Sequence, residues 1–292
     1  ERAVVDLWSG AALLGTGKKS AARRALKSAF DKSSDNTLRC DAAIYLFKAY
    51  GGIEAESIWW LDRARELVKP GSSQALRVEL ARACQVADEG KLDEARIINA
   101  RVRDEARRKD QLRIAAIAAS NLADCDLVSG DVAHALAGFE EAVVMARALG
   151  TRSDDAIDQL NLGICHLFGG DADRAVRHLE SALAISSEVG HAGTETEATV
   201  HLGLALALSD DIVEGERLVE SGMERADAGG FVHQCGLLHL LHIALLRRDL
   251  SLVDERHKAV LALDRSSLPP LLQRTYRRLA GKVDELEGTI DE

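Results

Sequence analysis

The chain repeats itself. When residues 116–155 are laid over 156–195, an offset of 40, twelve positions are identical. They are Ala116/Ala156, Ile117/Ile157, Asn121/Asn161, Leu122/Leu162, Cys125/Cys165, Leu127/Leu167, Gly130/Gly170, Asp131/Asp171, Ala135/Ala175, Glu140/Glu180, Ala142/Ala182 and Gly150/Gly190. Chance would give roughly three at ordinary composition. A fixed period of this length implies a stack of like units, since each unit buries its apolar face only against its neighbours. The period also accounts for the Cys125–Cys165 spacing without any chemistry.

Each unit reads as two helices. Ala, Leu, Arg and Glu dominate, and all favour helix. Only 3 Pro occur in 292 residues, and alternating β-branched runs, the mark of strands, are few. In the clearest unit a first helix over 118–129 carries Leu122, Ala123 and Leu127 on one face. Gly130-Asp131 breaks it, and Asp131 is placed to cap the next helix by accepting an orphan N–H. A second helix then spaces Ala135, Phe139, Ala142, Val143 and Ala146 by three or four, which makes an apolar stripe. Gly150 supplies a left-handed stop. The small residues Ala135 and Ala142 allow close approach of the two helices.

This arrangement resembles the tetratricopeptide repeat, whose pattern is a Leu-Gly pair in helix A, a Gly-Asp-type turn, then Ala, an aromatic and Ala in helix B. The matches are Leu122-Ala123, Gly130-Asp131, Ala135, Phe139 and Ala142. The next unit offers Leu162-Gly163, Gly170-Asp171, Ala175, Leu179 and Ala182, and the one after it Leu202-Gly203, Asp210-Asp211, Gly215, Val219 and Gly222. Gly90-Lys91, Ala95 and Val102 fit the frame upstream. Weaker units lie at Gly17-Lys18, Ala22, Leu26 and Ala29, near Gly51-Gly52 with Trp59 or Trp60, and at Arg248-Asp249, Val253 and Val260. The chain departs from the family in lacking the helix-A aromatic in most units and the Pro after helix B. Its 40-residue period is similar to those of kinesin light chains, spindle-orienting scaffolds and maltose-activator-type bacterial regulators. The resemblance implies an all-α, right-handed superhelical solenoid of about seven antiparallel hairpins over 1–263. Residues 264–292 are expected to form a linker, broken at Ser266-Ser267 and Pro269-Pro270, and a C-terminal capping helix. That helix would bury Leu271, Leu272, Tyr276, Leu279 and Val283 and end in a frayed acidic tail, Asp284 to Glu292.

Several function classes are disfavoured. The net charge of −10 repels nucleic acid unless cations cluster on one face. The two basic runs, Lys18 to Lys27 and Arg101 to Arg113, read as solvated helix faces. No apolar stretch reaches the roughly 20 residues of a membrane span. The start, Glu-Arg-Ala-Val-Val, has neither an initiator Met nor a signal-peptide pattern, as expected of a processed form or a piece of a larger protein. The five cysteines are widely spaced with no CxxC, which points to a reducing, cytoplasmic setting rather than disulfides or zinc.

Gly15-Thr-Gly-Lys-Lys-Ser20 superficially suggests a phosphate loop. Ala12 stands where the first Gly is needed, and Lys19 where a Ser or Thr is needed, so a cationic interhelical turn is expected. His239 and His242, an i,i+3 pair with His201 or His233 near, could begin a metal site. Such a site needs three or four convergent ligands, so no metal and no other cofactor is expected. No paired acids or nucleophile motif marks an active site, and the chain is expected not to be an enzyme.

The feature that points to function is a ladder. The residue before the helix-A Leu is Asn121, Asn161, His201 and His239 in successive units, and three residues on stand Asp124, Ile164, Leu204 and His242. The resemblance implies that these positions line the concave groove. Side-chain amides there can pair with a peptide backbone, and Ile164, Leu204, Leu167 and Phe168 could form apolar pockets. Basic candidates are few, Arg77 and Arg113, so a clamp for a terminal carboxylate is not supported. The expected function is a protein- or peptide-binding module, the sensor or scaffold region of a larger cytoplasmic and bacterial regulator. The alternative is the small-molecule-sensing region of a transcriptional activator.

Overall fold

A computed structural model describes residues 1–51, 54–263, 268 and 270–288. Among these residues there are fifteen helices and no strand. Seven consecutive pairs run along the chain. They are α1 (Arg2–Gly15) with α2 (Lys19–Lys32), α3 (Asn36–Tyr50) with α4 (Ala55–Leu67), and α5 (Ser73–Asp88) with α6 (Leu92–Arg108). Then come α7 (Leu112–Ser129) with α8 (Val132–Leu149), α9 (Arg152–Gly169) with α10 (Ala172–Val189), α11 (Ala192–Leu208) with α12 (Ile212–Arg225), and α13 (Phe231–Arg247) with α14 (Leu250–Leu261). A final α15 (Pro270–Gly288) follows. The interval 264–270, where the sequence breaks, lies outside the described residues apart from Leu268 and the start of α15, as do Gly52 and the tail beyond Gly288.

The turns follow the repeat. Asp131, Asp171, Asp211 and Asp249 each accept the backbone N–H three residues on, at 3.1–3.3 Å. These carboxylates satisfy an orphan donor at the start of each second helix. The residue before each Asp has positive φ, at Gly130, Gly170, Asp210 and Arg248. The turn at Gly15–Ser20 joins α1 to α2 as expected, with Gly17 in the left-handed region.

The contacts divide the chain into two compact units. Unit 1 is Glu1–Cys125, Glu141–Asp154 and Gly190–Gly193; unit 2 is Asp126–Glu140, Asp155–Val189 and Thr194–Glu292. In unit 1, α1 packs on α2, α3 on α4 and α5 on α6, while α3 also touches α1 and α5. Its core joins Leu26, Phe30, Leu46 and Phe47 to Trp60, which meets Phe30 edge-on at 5.1 Å. Trp60 is therefore the anchoring aromatic of that hairpin, and Trp59 is exposed. The basic runs are tied down. Arg101 pairs with Glu79 and Arg107 with Glu141. Arg23 donates to the Ala49 carbonyl at 2.8 Å and stacks over Tyr50, closing the C-terminal end of α3.

In unit 2 the repeated helix-B position, Phe139, Leu179 and Val219, is fully buried, as are Ala135, Ala175 and Ala182. Close approach is extreme at two glycines. A Cβ on Gly163 would stand 2.5 Å from Leu179 Cγ, and one on Gly203 would stand 2.5 Å from the Gly215 carbonyl oxygen. α15 packs on α13 and buries Leu272, Thr275, Leu279 and Val283. Leu271 and Tyr276, expected on that face, are only half-buried, because the buried stripe is set one step round the helix. α15 also reaches much farther back than a cap on the last hairpin would: Arg274 donates to the Val128 carbonyl at the end of α7, 2.6 Å away. α15 is helical to Gly288, with Val283 buried near its end, and the rest of the acidic tail expected to fray lies outside the described residues.

Adding a methyl at Gly203 overpacks the α11–α12 contact, a cost of about 1–3 kcal/mol that exceeds the roughly 1 kcal/mol of helix propensity gained. Gly203→Ala should therefore lower the thermal midpoint. Gly281→Ala on α15, where no atom lies within 4 Å of the new Cβ, should raise or hold it. Equal shifts in the two variants by calorimetry would contradict the packing described.

Candidate binding surfaces

The first helices of the unit 1 hairpins present a row of polar side chains across α3, α5 and α7. At one end Arg77 binds Asp41 at 2.5 Å. Arg113 binds Asp154 with both Nε and Nη2, at 3.0 and 3.4 Å. These pairs neutralise the two arginines that sequence offered as groove cations. Further along each helix stand Lys48, Cys84, Asp88, Asn121 and Asp124. Asn121 donates to Asn99 Oδ1 at 3.4 Å and lies 3.8 Å from Cys84 Sγ. Lys48, Cys84, Asp88 and Asp124 are all exposed, with enough protein around them to shift their ionisation. Desolvation is the largest influence on each, lowering Lys48 and raising Cys84 and Asp88. Asp124 is pushed up to about 6 by desolvation and by the charge of Asp88. Asp88 and Asp124 stand on this face without an ion-pair partner among the described residues, and Lys48 forms none either, although the Asp154 charge acts on it.

Unit 2 presents a different inner face. His239 Nε2 and His201 Nδ1 share a hydrogen bond at 2.9 Å, with the rings edge-on and both side chains buried. Burial lowers His201 to about 4 and His239 well below its ordinary value. His242 is lowered to about 4 by burial and by Lys282 and Arg278. All three are neutral at pH 7. His201 Nε2 has no hydrogen-bond partner among the described residues, but it lies 4.0 Å from Glu197 Oε1, and that carboxylate charge favours the tautomer carrying the proton on Nε2. His201 Nδ1 is then the acceptor and His239 Nε2 the donor, and His239 Nδ1 keeps a lone pair. That Nδ1 is buried without a hydrogen-bond partner among the described residues. No group of three or more His, Cys, Asp or Glu among the described residues could hold a metal ion.

The predicted ladder therefore does not form one uniform exposed row. Asn121 is half-buried and Asp124 exposed on the open face of unit 1. Asn161 is half-buried in unit 2, while Ile164 and Leu204 are 6% and 5% exposed and belong to its interior. His201 and His239 are spent on each other, and His242 sits beneath α15. Lys48, Cys84 and Asp88 escaped sequence reading because they fall outside the 40-residue register: Cys84 is 37 positions before Asn121, not 40. Their signal was their place on the first helix of each pair.

Residues 114–188 match the tetratricopeptide repeat family model. Three solved structures share the fold. A Signal Transduction ATPase with Numerous Domains with a tetratricopeptide repeat sensor, from Pyrococcus horikoshii, aligns with TM-score 0.54 at 15% identity, over 93% of this chain and 44% of that one. The chain thus spans less than half of that protein's length. A Rap protein complexed with Competence and Sporulation Factor aligns with TM-score 0.60 at 13% identity, over 99% and 98%. Aspartyl phosphate phosphatase F from Bacillus subtilis aligns with TM-score 0.61 at 14% identity, over 92% and 72%. Comparison with curated protein sequences finds no match. No described helix is long and apolar enough to cross a membrane.

The two surfaces titrate in opposite senses. A histidine whose folded value lies below its unfolded 6.5 contributes stability above pH 6.5 and loses it as the pH falls toward 4. Urea midpoints should therefore drop across that window, and His239→Gln should flatten the drop; an unchanged slope would contradict the buried neutral pair. Asp124, raised to about 6, binds its proton more tightly folded than unfolded, so its penalty grows from pH 4 and is complete above pH 6. Asp124→Asn should stabilise the chain at pH 7 and leave it unchanged near pH 3.5. Destabilisation at pH 7 would mean that the carboxylate has a partner.

Proposed function

We propose that this chain, a tetratricopeptide-repeat array, is a non-catalytic peptide- or protein-binding module, the sensor or scaffold region of a larger cytoplasmic regulatory protein. In this reading residues 1–263 form the array and 264–292 its linker and capping helix. The observation that carries it is the face across α3, α5 and α7, where the exposed Lys48, Asp88 and Asp124 form no ion pair among the described residues and stand beside Asn121. Holding unpaired charge there lowers stability, a cost commonly found where a ligand supplies the missing partner. The two carboxylates suit a Lys or Arg side chain of the ligand, Lys48 suits an acidic one, and the Asn121 amide suits a peptide carbonyl or N–H. Ile164, Leu204, His201, His239 and His242 would serve as supporting framework. Two proteins of this fold give precedent, one named for a repeat sensor and one solved with a bound factor. No disulfide joins the cysteines among the described residues, as suits a reducing compartment. Arg outnumbers Lys 27 to 10, a bias in keeping with a high-GC bacterial source.

Peptides selected on the purified chain from a random display library test this. They should be enriched in Lys or Arg, and their affinity should fall about tenfold or more, roughly 1.4 kcal/mol, on Asp88→Asn/Asp124→Asn, with the helical circular-dichroism signal intact. Selected peptides that bind the variant as tightly as the unchanged chain would place the binding surface elsewhere.

A further inference from the structure

Unit 2 contains a built cavity that the peptide-binding reading does not use. α15 lies across the first helices of the last hairpins and, with them, bounds a partly open cavity of about 260 Å³. That volume equals roughly nine waters of the liquid. One wall is apolar, made by Leu167, Phe168, Leu204, Leu208 and Leu238. The opposite wall is cationic. Arg278 and Lys282, one turn apart on α15, both line it, with Thr275 and His242 beside them. Neither cation has an ion-pair partner among the described residues. Glu285, on the same helix, lines the neighbouring cleft and forms no ion pair with Lys282. The floor includes His239, only 3% exposed, whose Nδ1 is the acceptor left over from its bond to His201.

We propose that this cavity binds a small amphipathic carboxylate, its head on Arg278 and Lys282, its apolar body on the leucine and Phe168 wall, with a hydroxyl or N–H of the ligand donating to His239 Nδ1. Each part of the site asks for one part of such a molecule. Two convergent cations with no carboxylate on the described walls favour an anion. The five apolar residues favour a hydrocarbon body, and the volume of about 260 Å³ suits a small molecule rather than a peptide segment. The unpartnered Nδ1 favours a donor, because a buried acceptor without one is costly. Since Arg278, Lys282 and Thr275 come from α15 while the apolar wall comes from α9, α11 and α13, the ligand would fasten α15 to the inner face of unit 2. The inference is independent of the unit 1 surface.

The test is calorimetric titration of the full chain with straight-chain carboxylates from butanoate to decanoate, with octanol as the neutral isostere and 3-hydroxyoctanoate as the donor-bearing form. Affinity should rise about fourfold per methylene until the cavity is full and then level off. Octanoate should bind at least tenfold more tightly than octanol, 3-hydroxyoctanoate should bind more tightly still, and the ¹⁵N resonance of His239 should shift. Arg278→Gln/Lys282→Gln should bring octanoate down to the level of octanol. Both positions are exposed, so the fold should tolerate the change. Leu208→Trp, which fills the cavity and leaves both cations in place, should abolish binding of every member. The inference is overturned by an absence of saturable binding at millimolar ligand, by equal affinity for octanoate and octanol, or by octanoate binding that survives Leu208→Trp.

Discussion

One contact recurs through the molecule: the crossing of each first helix over its partner at a residue with little or no side chain. In the central hairpins it is Ala135, Ala175 and Gly215, each fully buried, and at Gly203 the backbones come so near that a single methyl would meet the Gly215 carbonyl. A larger residue would push the helices apart and expose the Phe139, Leu179 and Val219 row. Once the second helix is committed to this contact, the remaining surface of the first helix is left to meet its other neighbours or solvent. The Asp caps at 131, 171, 211 and 249 set the start of each second helix and so hold the register of the crossing.

Those features were legible because they depend on local chemistry repeated at a fixed interval. An Asp after a positive-φ residue caps whatever helix follows it, and a small residue at the crossing packs the same way in every copy. The pairing of seven hairpins and a last helix could be read from them. The inner face could not. His201 and Asn121 hold the same repeat position, but whether the side chain meets solvent depends on what covers it, which no period encodes. α15 reaches Val128 across a sequence separation of 146, and only the folded chain shows that it overlies His242 and leaves His239 in a closed interior. Lys48, Cys84 and Asp88 meet through three-dimensional proximity at spacings that the 40-residue frame does not sample.

The two units thus use the same architecture for different ends. In unit 1 the first helices carry lysine and carboxylate side chains that form no ion pair among the described residues, the feature on which the proposed peptide binding rests. In unit 2 α15 is laid over the first helices, with histidines held neutral and two exposed cations lining a cavity. A macromolecular surface and a small-molecule site in one chain would suit a sensor region.

The unit 1 face carries a probe of its own. Cys84 is exposed on it, whereas Cys40, Cys125, Cys165 and Cys235 are buried. The most direct measurement is the rate of Cys84 alkylation in the native chain, followed by mass spectrometry with and without a saturating selected peptide. Cys84 alone should react, and bound peptide should slow its reaction at least tenfold. Reaction at the same rate under saturation would show that the peptide sits elsewhere, and that the charged row on α3, α5 and α7 is not the binding surface.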